Sequence, residues 1–108
     1  MTQPELTPYD EIAYPTFPIL YTHPDRLATI AMHFGMRPAP VERCRVLELG
    51  CSTGANLLSM AVTLPESEFV GVDLAGRPIA CGKAMVEALG LKQMRTALAL
   101  ALLPLKAR

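Results

Sequence analysis

The sequence predicts an α/β fold: a βαβ unit with flanking helices and an incomplete parallel sheet. Three observations carry this. Cys44-Arg-Val-Leu-Glu-Leu and Phe69-Val-Gly-Val-Asp73 read as short strands, the second apolar on both faces as a buried parallel strand should be. The segment between them, Ala55 to Leu64, has helical periodicity. Glycine or proline punctuates the junctions, at Gly50, Pro65 and Gly90. Two parallel strands joined by a helix form a right-handed unit. The chain has 108 residues, 51% apolar and 19% charged, so one small globular domain is the upper bound.

The elements follow in order. Residues 1–23 carry Pro4, Pro8, Pro15 and Pro18 among Tyr9, Tyr14, Phe17 and Tyr21. Proline at this density biases backbone to extended forms, so a non-helical arm is expected. Its aromatics pack on the domain or line a pocket mouth. A helix is expected from Pro24 to Phe34, capped by Thr22 or His23, with proline in its first position and Asp25 complementing the dipole. Leu27, Ile30, Ala31 and Phe34 form its apolar stripe, and Gly35 stops it. His33 adjoins that stripe in a structural or surface role. Met36 to Arg43 is a linker. The first strand closes at Gly50, and Cys51 to Thr53 form a tight turn. The next helix turns Leu57, Leu58, Ala61 and Val62 inward and ends at Pro65. After the second strand, a helix from Arg77 to Leu89 has Ile79, Val86 and Leu89 facing inward.

Ten basic and ten acidic residues balance, which argues against a nucleic-acid or acidic-membrane partner. The balance hides an asymmetry. Residues 1–90 hold ten acids and six bases, whereas residues 91–108 hold Lys92, Arg95, Lys106 and Arg108 with no acid. Cys44, Cys51 and Cys81 are widely spaced, with no CxxC pair, and His23 and His33 are the two histidines. A zinc site is therefore not expected; the cysteines read as free thiols of a reducing cytoplasm. The N-terminus is unlike a signal peptide, and the longest apolar run, Thr96 to Leu105, is too short to span a bilayer.

The chemistry concentrates in Val46-Leu-Glu48-Leu-Gly50-Cys51-Ser52-Thr-Gly54-Ala-Asn56. A strand runs into a glycine-bearing turn that opens a helix, at the sheet end where open α/β folds bind ligands. Asp73 ends the second strand nineteen residues after Gly54, where an acid can accept hydrogen bonds from both ribose hydroxyls. A dinucleotide fingerprint is broken by Ser52 and Ala55, and a phosphate loop lacks its Gly-Lys-Ser/Thr. Acid-x-Gly-x-Gly-x-Gly, the S-adenosylmethionine pattern, is matched by Glu48, Gly50 and Gly54, with Ser52 in place of the middle glycine. Gly50-Cys-Ser52-Thr-Gly54 also satisfies the nucleophile elbow of α/β-hydrolases, with Ser52 as nucleophile. That triad requires a histidine after the serine, and both histidines precede it. A third reading keeps the glycines as a purely structural βα turn.

On these residues the chain resembles the class I S-adenosylmethionine-dependent methyltransferases, and so a partial Rossmann-like methyltransferase fold. It looks most like a bacterial subgroup carrying a methyltransferase regulatory domain. The subgroup likeness rests on Tyr9-Asp-Glu-Ile-Ala-Tyr-Pro-Thr-Phe-Pro, Thr22-His-Pro-Asp-Arg-Leu-Ala-Thr and Val41-Glu-Arg-Cys-Arg-Val-Leu-Glu-Leu-Gly-Cys, continuing through Phe69-Val-Gly-Val-Asp-Leu to Gly90. The resemblance implies that Glu48, Gly50, Cys51, Ser52 and Gly54 surround the methionine part of S-adenosylmethionine. It further implies that Asp73 holds the ribose, that Leu74 lies beside the adenine, and that Tyr9 and Tyr14 help close the site. The implied reaction is in-line methyl transfer, to an acceptor that in the family ranges from small molecules to protein side chains.

The chain divides into three pieces: a Pro/Tyr-rich arm (1–23), a partial cofactor-binding domain (24–90) and a basic Ala/Leu tail (91–108) atypical of the family. A third strand is not expected, because Lys92-Gln-Met-Arg-Thr-Ala-Leu-Ala-Leu lacks a β-branched apolar run, an acid and a glycine. The switch at Gly90 is what a frameshift or premature stop produces. A two-strand sheet with both edges open is then expected to self-associate unless the tail or another chain covers it, and to hold the cofactor weakly; a non-catalytic fragment is the alternative to a methyltransferase.

Overall fold

The computed structural model describes residues 6–12 and 17–98. Its elements are α1 (Pro8–Glu11), α2 (Pro24–His33), β1 (Arg45–Leu49), α3 (Ala55–Thr63), β2 (Glu68–Asp73), α4 (Gly76–Ala88) and β3 (Met94–Leu98), with 3-10 turns at Leu20–Thr22 and Val41–Arg43. The strands form one parallel sheet in the order β1-β2-β3. This is the α/β architecture the sequence predicts, with one strand more.

That strand corrects the expectation that no third strand follows Gly90. Gly90 does stop α4, at φ +63°, but the chain then returns to the sheet. Met94 and Thr96 are buried and Arg95 is exposed, the period of two that a strand requires. Propensity is weak here because packing decides the outcome: Phe69 pairs Met94 and Gly71 pairs Thr96 along the open edge of β2. The parallel sheet thus runs at least to Leu98; residues 99–108 lie outside the described residues.

The arm also departs from expectation. Pro8–Glu11 form one helical turn, because Pro8 stands at the first position, where no N–H is needed. Asp10 Oδ2 reaches back to the Thr7 amide and hydroxyl at 2.9 and 3.0 Å. Helix α2 begins as expected, with His23 Nδ1 accepting from the Asp25 amide at 3.2 Å. Its expected apolar stripe, however, is not core. Leu27, Ile30 and Phe34 are exposed, and α2 buries Pro24 and Ala28 instead. The periodicity was real, but α2 lies against the turns that flank it rather than on the sheet.

The core sits on one face of the sheet. Leu57, Met60 and Ala61 of α3 pack with Phe69 of β2 and Met94 of β3, flanked by Val46, Leu58, Leu64, Val86 and Leu91. Met60 takes the inward place expected for Val62, which is exposed, as is Leu89. Ile79 is buried as expected. The opposite face carries Leu47 and Leu49, both exposed. At the base, buried Ser67 accepts from the Cys44 amide at 2.9 Å and donates to the Val41 carbonyl at 3.3 Å. This leaves the other ends of β1 and β2 to form the site.

Candidate functional site

The turn after β1 has left-handed backbone at three alternate residues: Gly50 (φ +71°), Ser52 (φ +54°) and Gly54 (φ +81°). Two are the residues that tolerate this region freely. Ser52 occupies it at a cost of about 1–2 kcal/mol. Its amide donates to Asp73 Oδ2 at 2.7 Å, a short charge-assisted bond that offsets the strain. The Gly50 and Cys51 amides both donate to the Val72 carbonyl, at 2.8 and 3.0 Å. Asp73 Oδ1 accepts from the Ala75 amide at 2.9 Å. The end of β2 therefore holds the turn, and the turn orients Asp73.

Glu48 is the second acid. It lies opposite Gly71 in the sheet register, half-buried, and its Oε2 accepts from Asn56 Nδ2 at 2.7 Å. Both carboxylates act on Cys51 between them. Burial, then the charge of Asp73, then that of Glu48 push its thiol up to about 11. Cys51 is therefore a neutral thiol near pH 7, packed inward against the place where a Gly71 side chain would stand.

The structure thus brings Glu48, Gly50, Cys51, Ser52, Gly54 and Asp73 together. The Cys51 side chain is buried under the turn; its amide donates to the Val72 carbonyl and its carbonyl accepts from the Gly54 amide. Leu74 follows directly, half-exposed, at the end of β2. Tyr14 lies outside the described residues, and of Tyr9 only the backbone, in α1, is described. His23 uses Nδ1 to cap α2, and His33 stands edge-on to Phe34. Among the described residues, no group of His, Cys, Asp and Glu could hold a metal ion, and no helix is long and apolar enough to cross a membrane.

Two residues are missed by motif reading. Asn56, 7% exposed, sits in the first turn of α3 and contacts Glu48. Its signal is a polar residue four before Met60, on the inward face of an otherwise apolar helix. Asp10 is also buried, and its Oδ1 accepts the Arg77 amide at the start of α4, at 2.8 Å. No local pattern announces a bond that spans 67 residues. Helix α4 closes the site from behind, where Gly82 touches the Thr53 backbone carbonyl and a Cβ would overlap it. Two open clefts, of about 400 and 590 Å³, lie along β3 and at the opposite end of the sheet, away from the two acids.

Comparison with solved structures places this geometry. The chain superposes on PKMT2 from Rickettsia typhi, solved in complex with AdoHcy, with a TM-score of 0.74 and 38% identity, covering 79% of this chain and 17% of that one. The fold is that of the S-adenosylmethionine-dependent methyltransferases. An uncharacterized Rickettsia prowazekii protein, RP028, is 41% identical over 87 residues, 81% of this chain and 35% of its own length. A tRNA (guanine-N(7)-)-methyltransferase of Chloroflexus aggregans is 38% identical over 77 residues, 69% of this chain and 32% of its own. No family model matches the chain. The chain therefore spans about a third or less of the length of these relatives.

Proposed function

We propose that the chain binds S-adenosylmethionine across the C-terminal ends of β1 and β2 and serves methyl transfer. The observation that carries this is the left-handed Gly50–Gly54 turn held between two carboxylates, tied to Asp73 through the Ser52 amide and flanked by Glu48. The donor set fits this ligand. A sulfonium nucleoside offers an ammonium and a ribose diol, both of which carboxylates accept; a diphosphate would be repelled by both acids. Nothing stands within 4 Å of a Cβ built on Gly50, so a ligand can approach that backbone. The 38% identity to a protein solved with AdoHcy, the demethylated cofactor, supports the same reading.

In this reading Glu48 and the turn hold the methionine end, Asp73 the ribose, and Leu74 the adenine side. When bound, the ligand supplies an activated sulfonium methyl; the chain's residues supply binding and alignment. The subgroup carrying a regulatory domain rests on the resemblance of residues 9–90 alone. Free Cys44, Cys51 and Cys81 support a reducing, cytoplasmic setting.

Calorimetry of the chain with S-adenosylmethionine tests the binding. Saturable heat is expected, sharply reduced in Asp73→Asn and Glu48→Gln. Equal heats for all three proteins would sink the assignment. Acceptor class is tested with radiolabelled methyl donor and a lysate, run beside a full-length relative: protein side chains retain label on a filter, and small molecules pass through. Label transferred by the relative and not by this chain would favour the alternative of a non-catalytic cofactor-binding piece.

A further inference from the structure

We infer that Asn56 is a positioning residue that holds the Glu48 carboxylate and fastens residues 19–22 across the same end of the sheet. The inference rests on the reading that Glu48 faces the ligand. Asn56 Nδ2 donates to Glu48 Oε2 at 2.7 Å and to Thr22 Oγ1 at 2.9 Å, and Oδ1 accepts from the Ile19 amide at 2.7 Å. Thr22 Oγ1 passes its own proton to the Ile19 carbonyl at 2.8 Å. The network is closed, and the amide's orientation is forced: a backbone N–H can only donate and an ionised carboxylate can only accept. A planar side chain of this length with a donor and an acceptor side by side is an amide, which neither Asp nor Ala can replace while residue 48 is a carboxylate.

The bonds join parts of the chain 34 and 37 residues apart. Where Asn56 holds Glu48, it also holds the 3-10 turn Leu20–Thr22, whose Leu20 and Tyr21 side chains are largely exposed and contribute little apolar burial. Fastening of this segment and placement of Glu48 are therefore one event. By linkage, a ligand that engages Glu48 also steadies residues 19–22.

The test uses Asn56→Asp and the double variant Glu48→Gln/Asn56→Asp. The single variant keeps the acceptor for the Ile19 amide but sets two carboxylates in contact. The double variant exchanges donor and acceptor between positions 48 and 56, restoring the bond while moving the charge off residue 48. Amide hydrogen exchange at Ile19, without ligand, reads the fastening; calorimetry with S-adenosylhomocysteine reads the ligand site. In N56D both protection and affinity should fall about tenfold or more, as for a buried polar pair left unmatched. In the double variant protection should return and affinity should not.

Unchanged Ile19 protection in N56D overturns the inference. So does lost protection in the double variant, which also serves as the measurement if N56D does not fold. Recovery of affinity in the double variant overturns the assignment of Glu48's charge to the ligand. If the wild-type chain binds no S-adenosylhomocysteine, the functional reading fails, and the exchange data still decide the role of Asn56.

Discussion

The βαβαβ body and the N-terminal segments are held by different physics. In the body, α3, α4 and three strands close over Leu57, Met60, Ala61, Phe69 and Met94, each almost fully buried. The segments before Gly35 leave Phe17, Leu20, Tyr21, Leu27, Ile30 and Phe34 more than half exposed. What ties them down is polar: Asp10 to the Arg77 amide, and Asn56 to Ile19 and Thr22. Apolar burial is non-directional and assembles layers. Hydrogen bonds are directional, and here they place two parts of the arm at the ends of β1 and β2, beside the two acids. The body makes the scaffold, and the arm is fitted to the site.

The largest effects should come from volume changes in the body. Phe69 is completely buried on the central strand. Phe69→Ala should cost about 3–5 kcal/mol in urea unfolding. A loss under about 1 kcal/mol would mean that this core is not what holds the sheet. Gly82→Ala is next. On an exposed helix the change would gain about 1 kcal/mol. At Gly82 the new Cβ meets the Thr53 backbone carbonyl, which cannot swing aside as a side chain could. The variant should be destabilised by about 1–3 kcal/mol despite its better propensity. A stabilised Gly82→Ala would show that α4 sits further from the turn than described.

The same contrast explains what could be read from sequence. The body was legible because its signals are local: strand runs, helical periods and a glycine turn joining Leu49 to Ala55. The turn itself was legible because left-handed backbone confines the choice of residue at Gly50 and Gly54, and Glu48 and Asp73 stood out as acids near the ends of the strands beside it. Strand β3 was not, because Met94-Arg-Thr-Ala-Leu98 has little strand preference and is recruited by the free edge of β2. Its alternation at Met94, Arg95 and Thr96 was the signal available. In α2 the period was legible and its meaning was not, since an apolar stripe does not say which surface it faces. Asn56 and Asp10 were passed over because their partners are distant in sequence, and only the fold brings them together.

A smaller, pH-dependent effect should mark the arm. The Arg77 amide, then Thr7, holds Asp10 below its ordinary value of 3.8. A carboxyl lowered in the folded state contributes stability above its unfolded value, and that contribution is lost as pH falls through the folded value. Protection of the Arg77 amide, corrected for intrinsic exchange, should therefore be constant at neutral pH and drop below pH 3.8. Asp10→Asn should show low, flat protection throughout, with the unfolding of the body unchanged. A wild-type profile without this drop would mean that α1 is not fastened through Asp10. A fall in body stability equal to the loss at Arg77 would mean that arm and body unfold as one unit.

The smallest effect belongs to the apolar residues of α2, and it tests the comparison from the other side. Phe34 is 78% exposed at the end of α2, and Leu27 is 52% exposed in its middle. By composition these are core residues; by position they cover little. Phe34→Ala should change stability by no more than about 0.5 kcal/mol, the range of a surface substitution. Leu27→Ala should do the same, since alanine is at least as good a helix former. Urea unfolding of the two variants beside Phe69→Ala measures all three on one scale. Should either exposed residue cost as much as buried Phe69, the face of α2 is covered in solution, and the arm is held by apolar burial as the body is. Should both be silent, the polar bonds of Asp10 and Asn56 account for the arm's position, and the chain's stability and its site geometry can be altered independently.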